Sequence, residues 1–322
     1  MSVLLKKQRN EATVIGRLKE VELEEVNGRE GRVFLKGHAT VEVKEKDKTH
    51  NIRVQIFENK YKRDGNVSAL YTGAKKLTDE YVSIANAEEG QEATLVKITG
   101  ELDHREYYDA EGQHREFSNI KGRFYHSLTK EQVIKERGPK AIVNIEAVVD
   151  NITEEIKDGL PTGRLIVDLI NTDWFGDEPN PKYSPLTPVR AIVDESLADV
   201  LEGMYSKGDT GKFTIKVNNY AVEEEIEEDI QQEITGFGNT DELENDKNVT
   251  RFESNYEITG GTEPYMDDKA YDDEALEELN KWKELAKKNL EEGYVPQDKQ
   301  TNAFEKKEEV DNTISDDDIP DF

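Results

Sequence analysis

The chain of 322 residues contains no cysteine. This absence excludes a disulfide framework, a thiolate zinc site and a cysteine nucleophile, and it fits a reducing compartment. No run approaches the ~20 apolar residues that a membrane helix needs, and residues 1–14 lack the apolar stretch of a secretory signal. We therefore expect a soluble protein of the cytoplasm, without a membrane partner.

Signatures of common enzymes are missing too. The chain has no Gly-x-x-x-x-Gly-Lys-Ser/Thr loop, so an ATP-driven helicase or recombinase is not expected. The histidines follow neither HExxH nor paired-ligand spacing; they are His38, His50, His104, His114 and His126. Acidic runs at 223–225 and 316–318 are more typical of solvated surface than of a magnesium site. The sequence predicts a protein that is not an enzyme and that has no cofactor or metal.

Apolar residues are scarce and acidic charge is unevenly distributed. Hydrophobic residues make up 34% of the chain and charged ones 35%, which predicts that part of it is unfolded. The net charge of -28 would repel phosphate. However, residues 1–140 hold 26 Lys+Arg against 24 Asp+Glu, whereas residues 221–322 hold 10 against 33. The acidity thus belongs mainly to the C-terminal third, and the first half remains compatible with a phosphate-bearing partner.

Alternating apolar residues predict two sets of strands. In the first half they lie at 13–26, 32–43, 52–56, 94–102 and 115–128, with a helical segment at 66–85. This order, three strands, a helix and a two-strand hairpin, is that of an OB-fold barrel. A similar order follows residues 137–139, with strands at 142–152, 162–169, 189–193, 213–217 and 249–258 and a helix at 196–205.

The predicted fold class is all-β with short helices, arranged as two tandem OB-fold-like barrels and a disordered acidic C-terminal tail. We place the first barrel at 1–138, the second at 139–262 and the tail at 263–322. The alternative is one larger β-rich domain without internal repetition. Within the tail, an amphipathic helix at 273–291 is expected to dock on the second barrel, although it could instead bind a partner. From residue 295 onward we expect disorder.

The side of the predicted strands opposite the core carries cations and aromatic rings. Cations neutralise phosphate, and rings stack on unpaired bases regardless of their identity, so the pattern predicts binding of single-stranded DNA. The predicted DNA-binding residues are Arg32, Phe34, Lys36, Arg53, Phe57, Lys60, Tyr61, Lys62, Arg63, Tyr107, Arg115, Phe117, Lys121, Arg123 and Tyr125, with Trp174 in the second barrel. The alternative is a solvated sheet face, and a register error of one residue would invert the assignment.

The last residues are Asp316, Asp317, Asp318, Ile319, Pro320, Asp321 and Phe322. This segment resembles the C-terminal tip of bacterial single-stranded-DNA-binding proteins, typically Asp-Asp-Asp-Ile/Leu-Pro-Phe, with Asp321 inserted. Residues 12–18 are similar to the opening strand of that family, and 102–115 to its hairpin segment. Two barrels would match the minority of members with tandem barrels. Phage-encoded members diverge this far, so we expect a phage protein acting in the host cytoplasm.

The resemblance implies that the tip at 316–322 binds replication, recombination and repair proteins. A terminal ring beside a carboxylate is also a physically reasonable anchor for a basic-rimmed pocket. The predicted function is therefore sequence-independent binding and protection of single-stranded DNA, with partner recruitment through the tip. Homo-oligomerisation is left open. The alternatives are a β-rich replisome or recombination mediator that binds proteins first and DNA weakly, an acidic DNA mimic, and, for the tail alone, a solubilising role.

Overall fold

The computed structural model describes residues 5–28, 31–109, 111–173, 185–225 and 248–293. Within these ranges the chain forms ten strands and four α-helices. The first half contains β1 (Asn10–Asn27), β2 (Val33–Glu45), β3 (Lys48–Asn59), α1 (Ala69–Asp79), β4 (Leu95–Tyr108), β5 (His114–Leu128) and α2 (Lys130–Lys135). The second half contains β6 (Lys140–Lys157), β7 (Leu160–Thr172), β8 (Leu186–Val193), α3 (Glu195–Met204), β9 (Thr210–Glu225), β10 (Asn248–Gly261) and α4 (Asp273–Gly293).

The first five strands close into a barrel. Strand β1 pairs antiparallel with both β2 and β4. On their other edges, β2 pairs antiparallel with β3 and β4 pairs antiparallel with β5. A short parallel pairing of β3 with β5, Val54 beside Ile120, closes the ring. This five-stranded closed order with a helix between β3 and β4 is the OB-fold.

Alternation along the strands builds the core of this barrel. Residues of one parity, such as Val14, Val41, Val54 and Ile98, are fully buried, because successive side chains of a strand point to opposite faces. Helix α1 contributes the buried side chains of Tyr71, Ala74 and Leu77. The opposite parity is left outside the barrel, which determines what the outer face can present.

The second half repeats these pairings strand for strand. Strand β6 is antiparallel to β7 and β9, β7 pairs with β8, β9 pairs with β10, and a parallel pairing of β8 with β10 closes the ring. Helix α3 occupies the place of α1. The predicted fold class, two tandem OB-fold-like barrels with short helices, is therefore confirmed, and a β-rich domain without repetition is wrong. The exact domain limits at 138 and 262 stay a prediction.

Two strand pairings join the two barrels, and in the shorter one His50 of β3 lies opposite Tyr220 of β9. Residues 10–15 of β1 run antiparallel to residues 140–145 of β6, so all ten strands belong to one hydrogen-bonded sheet. Polar contacts reinforce the junction: Lys216 Nζ lies 2.5 Å from Glu45 Oε2, and Tyr256 Oη donates to the carbonyl of Ser118 at 3.0 Å. The junction thus combines backbone ladder and side-chain contacts.

Helix α4 packs on the second barrel. Asp272 caps it by accepting a hydrogen bond from the Ala275 N–H at 2.9 Å. Ala275 and Leu279 are buried against Val148 and Ile170, outward-facing residues of β6 and β7. The helix therefore covers part of the outer face of that barrel, where the sequence predicted docking. None of the described helices is both long and apolar enough to cross a bilayer.

We predict that Leu279→Ala weakens the attachment of α4. Leu279 is 3% exposed, and truncation of a buried leucine costs about 2–5 kcal/mol of unfolding free energy. Urea denaturation should show this loss, whereas Asn280→Ala, an exposed position on the same helix, should change stability by less than about 0.5 kcal/mol. Equal stability of the two variants would contradict the docking of the helix.

Candidate nucleic-acid interface

The outer face of β2 and β3 forms the centre of the candidate interface. Lys36 lies directly opposite Phe57, and His38 lies opposite Gln55. Arg53 Nη2 is 3.1 Å from His38 Nδ1, which holds the guanidinium along the sheet. Alternation in these two strands therefore places cations and a ring on the same side, as predicted for Lys36, Arg53 and Phe57.

Phe34 is an exception to the predicted exposure. It has outward parity, but it is only 1% exposed, and Gly28, just after β1, lies against its ring. A Cβ at Gly28 would lie 2.3 Å from the Phe34 ring, so the chain approaches closely only with glycine there. The Phe34 and Phe57 rings stack with centroids 5.2 Å apart. Phe34 thus supports the Phe57 ring and does not itself face solvent. Its predicted outward exposure is wrong, and its contact with DNA stays a prediction.

Strand β5 continues the same outer face. The parallel closure places Lys121 beside Gln55, with outward parity in both strands. Lys121 Nζ lies 3.7 Å and Arg123 Nη2 lies 3.1 Å from Glu101 Oε1 on the neighbouring strand β4. The cations of β3 and β5 therefore share one side of the first barrel, although those of β5 are partly neutralised.

A β-bulge changes the face of the end of β5. Gly122 pairs with Gly100 but Phe124 pairs with Thr99, so Arg123 is the extra residue and the parity shifts by one. Consequently Tyr125 is 4% exposed, and Phe124, which the sequence analysis did not select, is 55% exposed. The predicted outward position of Tyr125 is therefore wrong, and its contact with DNA stays a prediction. A bulge leaves no clear mark in a single sequence, so simple alternation could not find it.

The segment after β3 adds exposed groups beside this face. Tyr61, Lys62 and Arg63 are exposed, as is Arg32 at the start of β2. Lys60 differs, because its Nζ lies 3.0 Å from Glu25 Oε1 and above the rings of Tyr61 and Tyr71. A phosphate would therefore have to compete with Glu25 for Lys60, whereas Tyr61, Lys62 and Arg63 are directly accessible.

The hairpin of β4 and β5 extends beyond the barrel as a two-stranded ribbon. On its outward side Tyr107 and Phe117 meet edge to face with centroids 6.0 Å apart, and both rings are exposed. Arg115 Nε donates to Asp109 Oδ2 at 2.7 Å, and Arg105 Nε donates to Asp103 Oδ2 at 3.2 Å. The ribbon thus presents two rings flanked by arginines that already have carboxylate partners.

Carboxylates on β1 border the face and were missed by the sequence analysis. Glu24 lies opposite Lys36, and Glu22 lies opposite His38 with Oε2 3.5 Å from His38 Nε2. Their spacing of two residues is visible in the sequence, but the strand next to β2 had to be known before their position could be inferred. The face is therefore mixed in charge, with cations concentrated toward β3, β5 and residues 60–63.

The second barrel presents a poorer surface. Arg190 Nε donates to Asp168 Oδ1 at 2.8 Å, and Arg164 Nη2 lies 2.6 Å from Glu155 Oε2. Trp174, predicted to contact DNA, lies outside the described residues, as does the predicted tip at 316–322. The accessible cations and rings of the described chain therefore favour the first barrel.

A buried carboxyl group lies beneath the candidate interface. Glu58 on β3 is 4% exposed, and burial raises its pKa to about 7, while Arg123 and Lys121 act in the opposite direction. Burial likewise raises the pKa of Tyr125, and the nearby Glu58 adds to that rise. A group that titrates near neutrality is thus placed under the β5 cations.

The fold and the outer surface define a tandem OB-fold protein whose first barrel displays rings and cations. The model of the YorF family matches residues 8–293, and the chain belongs to this family. A search of curated proteins found no match.

Solved structures similar to this chain are single-stranded-DNA-binding proteins. The wild-type protein from Thermus aquaticus is 13% identical, with a TM-score of 0.46 over 81% of this chain and 96% of that chain. The mitochondrial protein Rim1 from S. cerevisiae is 14% identical, with a TM-score of 0.25 over 37% of this chain and 94% of its own. The Plasmodium falciparum protein, solved in complex with single-stranded DNA, is 16% identical, with a TM-score of 0.26 over 38% of this chain and 98% of that chain. The sequence resemblance named the same class of proteins.

We predict that Glu58 makes folding stability fall as the pH rises. Because the folded pKa is about 7 and the ordinary value is 4.5, the folded state binds more protons than the unfolded state between these values. The contribution of Glu58 to the free energy of unfolding is fully present below about pH 4.5. It is lost as the pH rises through about 7, and the loss is on the order of 3 kcal/mol. Urea denaturation from pH 5 to 8 should show a flatter profile for Glu58→Gln than for the wild type.

The exposed Glu89 provides the matched control for this measurement. Glu89→Gln should leave the pH profile of the wild type unchanged. If Glu58→Gln shows the same pH dependence as Glu89→Gln, burial does not raise the pKa of Glu58 as described.

Proposed function

We propose that this chain binds single-stranded DNA without sequence preference through the outer face of its first barrel. The observation that carries the proposal is the clustering of accessible rings with cations on that face. The rings belong to Phe57, Tyr61, Tyr107 and Phe117. Lys36, Arg53, Lys62 and Arg63 supply the accessible cations.

The position of this cluster within the fold also supports the proposal. OB-folds bind oligonucleotides on the face of their second and third strands and with the loops that follow the first and fourth strands. Phe57 and Lys36 lie on that strand face, Arg32 lies at the end of the first of these loops, and Tyr107 lies in the arm leading to the second. The Plasmodium falciparum protein was solved with single-stranded DNA, which is the ligand class we assign to this face.

The chemistry of the cluster indicates how the ligand would be held. Ring stacking on exposed bases contributes ~1–3 kcal/mol per base and tolerates any base, while lysine and arginine neutralise the backbone. Duplex DNA hides the base faces that the rings require. We therefore assign sequence-independent, salt-sensitive binding to single strands, with protection of the bound strand as its consequence and no catalytic step.

Internal ion pairs set a limit on the electrostatic contribution. Lys60, Arg115 and Arg123 each have a carboxylate partner, and Glu22 and Glu24 border the face. Phosphate contact by these paired cations would replace an existing interaction and add less than contact by an exposed lysine. We infer that Lys36, Lys62 and Arg63 account for most of the salt dependence.

The second barrel is assigned a supporting role. Its Arg164 and Arg190 are paired with carboxylates, and α4 covers the outward residues Val148 and Ile170. It pairs with the first barrel through β6, so it stabilises β1 and with it the binding face. Weak DNA contact, subunit contact or partner contact by this barrel remains compatible with the proposal.

We predict that Phe57→Ala and Phe117→Ala each weaken binding to oligo-dT about 5- to 150-fold, the equivalent of one lost stacking contact. Fluorescence anisotropy with the full chain measures the affinity. Phe252→Ala removes an exposed ring from the second barrel and should leave the affinity unchanged. Arg63→Ala should reduce the slope of log affinity against log salt by about one.

Two results would contradict this assignment. Unchanged affinity of both Phe57→Ala and Phe117→Ala, in variants that unfold like the wild type, would remove the first barrel face as the DNA site. Absence of salt-sensitive oligo-dT binding by the wild-type chain would favour the alternative of a replisome or recombination mediator that binds proteins first.

The segment at 316–322 is proposed to recruit replication, recombination or repair proteins to the bound strand. Its support is the sequence pattern of three aspartates followed by Ile319, Pro320 and Phe322. Acidic residues steer a segment toward basic surfaces, and an apolar ring gives it an anchor.

We predict that deletion of residues 316–322 abolishes co-purification of host replication and repair proteins on oligo-dT beads. DNA affinity should stay equal or rise, because a competing acidic segment is removed. Asp311→Asn serves as a control, since it removes one negative charge upstream of the tip. Loss of DNA affinity in the deletion would contradict the separation between a DNA-binding barrel and a partner-binding tip.

A further inference from the structure

The β4–β5 ribbon contains a repeated sequence triplet. His-Arg-Glu occurs at 104–106 on β4 and again at 114–116 on β5. Because side chains alternate along a strand, Arg105 and Arg115 project to the DNA-facing side, and the histidines and glutamates project to the other. The hairpin therefore brings two imidazoles and two carboxylates to one side of the ribbon.

The register concentrates these groups further. Glu106 lies directly opposite Glu116. Potential ligand atoms of His104, Glu106 and Glu116 all lie within 4.8 Å of one another. His104 Nε2 is 2.9 Å from Glu106 Oε1, and His114 Nε2 is 3.4 Å from Glu106 Oε2.

Two features distinguish this cluster from an ordinary acidic patch. Carboxylates directly opposite each other on paired strands are destabilising unless a positive charge lies between them. The His104 ring is also oriented, because its Nδ1 lies 3.1 Å from Ser118 Oγ, which leaves Nε2 directed at Glu106. A hydrogen-bonded outer nitrogen is the usual way in which a metal-binding histidine is held in position.

We propose that His104, Glu106 and Glu116 bind a divalent transition-metal ion of the zinc class, with His114 as a fourth ligand. Imidazole and carboxylate donors suit Zn²⁺, whereas Mg²⁺ prefers oxygen donors and water. Zn²⁺ bonds of ~2.0–2.2 Å in a tetrahedron place ligand atoms about 3.3 Å apart. Side-chain rotation would bring the ligand atoms from their present separations of up to 4.8 Å to that distance. The two carboxylates would offset the charge of the ion.

The surroundings are compatible with such an ion. Arg190 acts electrostatically on Glu116 from the second barrel, but its guanidinium is held by Asp168 at 2.8 Å. A bound ion would tie β4 to β5 on the side of the ribbon opposite Tyr107 and Phe117, so the site is independent of the proposed DNA function.

The test is titration of the full chain with Zn²⁺ against a chromophoric chelator, with excess Mg²⁺ present to occupy weak acidic sites. We expect the wild type to bind one Zn²⁺ ion per chain tightly. His104→Ala and Glu106→Gln should each lose at least tenfold in Zn²⁺ affinity. His126→Ala and Glu111→Gln are exposed controls outside the ligand set and should bind as the wild type does. Co²⁺ should give intense visible absorption bands that both ligand variants lose.

Thermal unfolding in chelator checks that the ligand variants fold, because Glu106 is exposed but His104 is partly buried. The proposal is overturned if the wild type takes up no tight equivalent, or if His104→Ala and Glu106→Gln retain it. The first result would mean that hydrogen bonds between the histidines and the carboxylates are sufficient to stabilise the ribbon. Oligo-dT binding is measured separately, so failure of the metal site and failure of the DNA site give different results.

Discussion

Backbone pairing by β1 is the interaction on which the rest of the structure depends. This strand is hydrogen-bonded to β2 and β4 within its own barrel and to β6 of the other. Gly16 allows the strands to approach closely, because a Cβ there would lie 2.2 Å from the Glu42 carbonyl oxygen. A register shift between Leu18 and Glu20 then bends β1 around the barrel. Strand β1 thus takes part both in the first barrel and in its attachment to the second.

The two barrels have different surfaces although their strand pairings are the same. The first barrel leaves the β2–β3 face accessible, and the second has part of its outer face under α4. Charge follows the same division, since the acidic excess lies mainly in residues 221–322. A chain with a net charge of -28 can therefore still present cations to a polyanion, because screening limits repulsion from distant carboxylates to roughly a Debye length of about 10 Å.

Much of the fold could be predicted from the sequence because OB-fold strands alternate clearly. The parity of Lys36, Arg53 and Phe57 follows from period two alone, and the end of β5 shows where that rule stops. One extra residue at Arg123 moved Tyr125 inside and Phe124 outside. Phe34 kept the expected parity but its ring lies against Gly28, a contact that depends on tertiary structure.

Clusters formed by residues of two different strands were harder to predict than the facing of residues within one strand. The histidines and glutamates of the ribbon have no recognisable ligand spacing when read linearly, since half of the set lies on each strand. Only the pairing of Glu106 with Glu116 brings them together. The carboxylates of β1 were missed for the same reason, because their neighbours belong to β2.

The covalent connection between the barrels has a consequence for how such a protein can change over generations. In a dimer of identical chains, every substitution appears in both copies, so a mutation that improves one ligand surface also alters its twin. Here each barrel has its own gene segment, and β6 can keep its pairing with β1 while the surface of the second barrel diverges. A substitution on the surface of the second barrel therefore leaves the surface of the first unchanged.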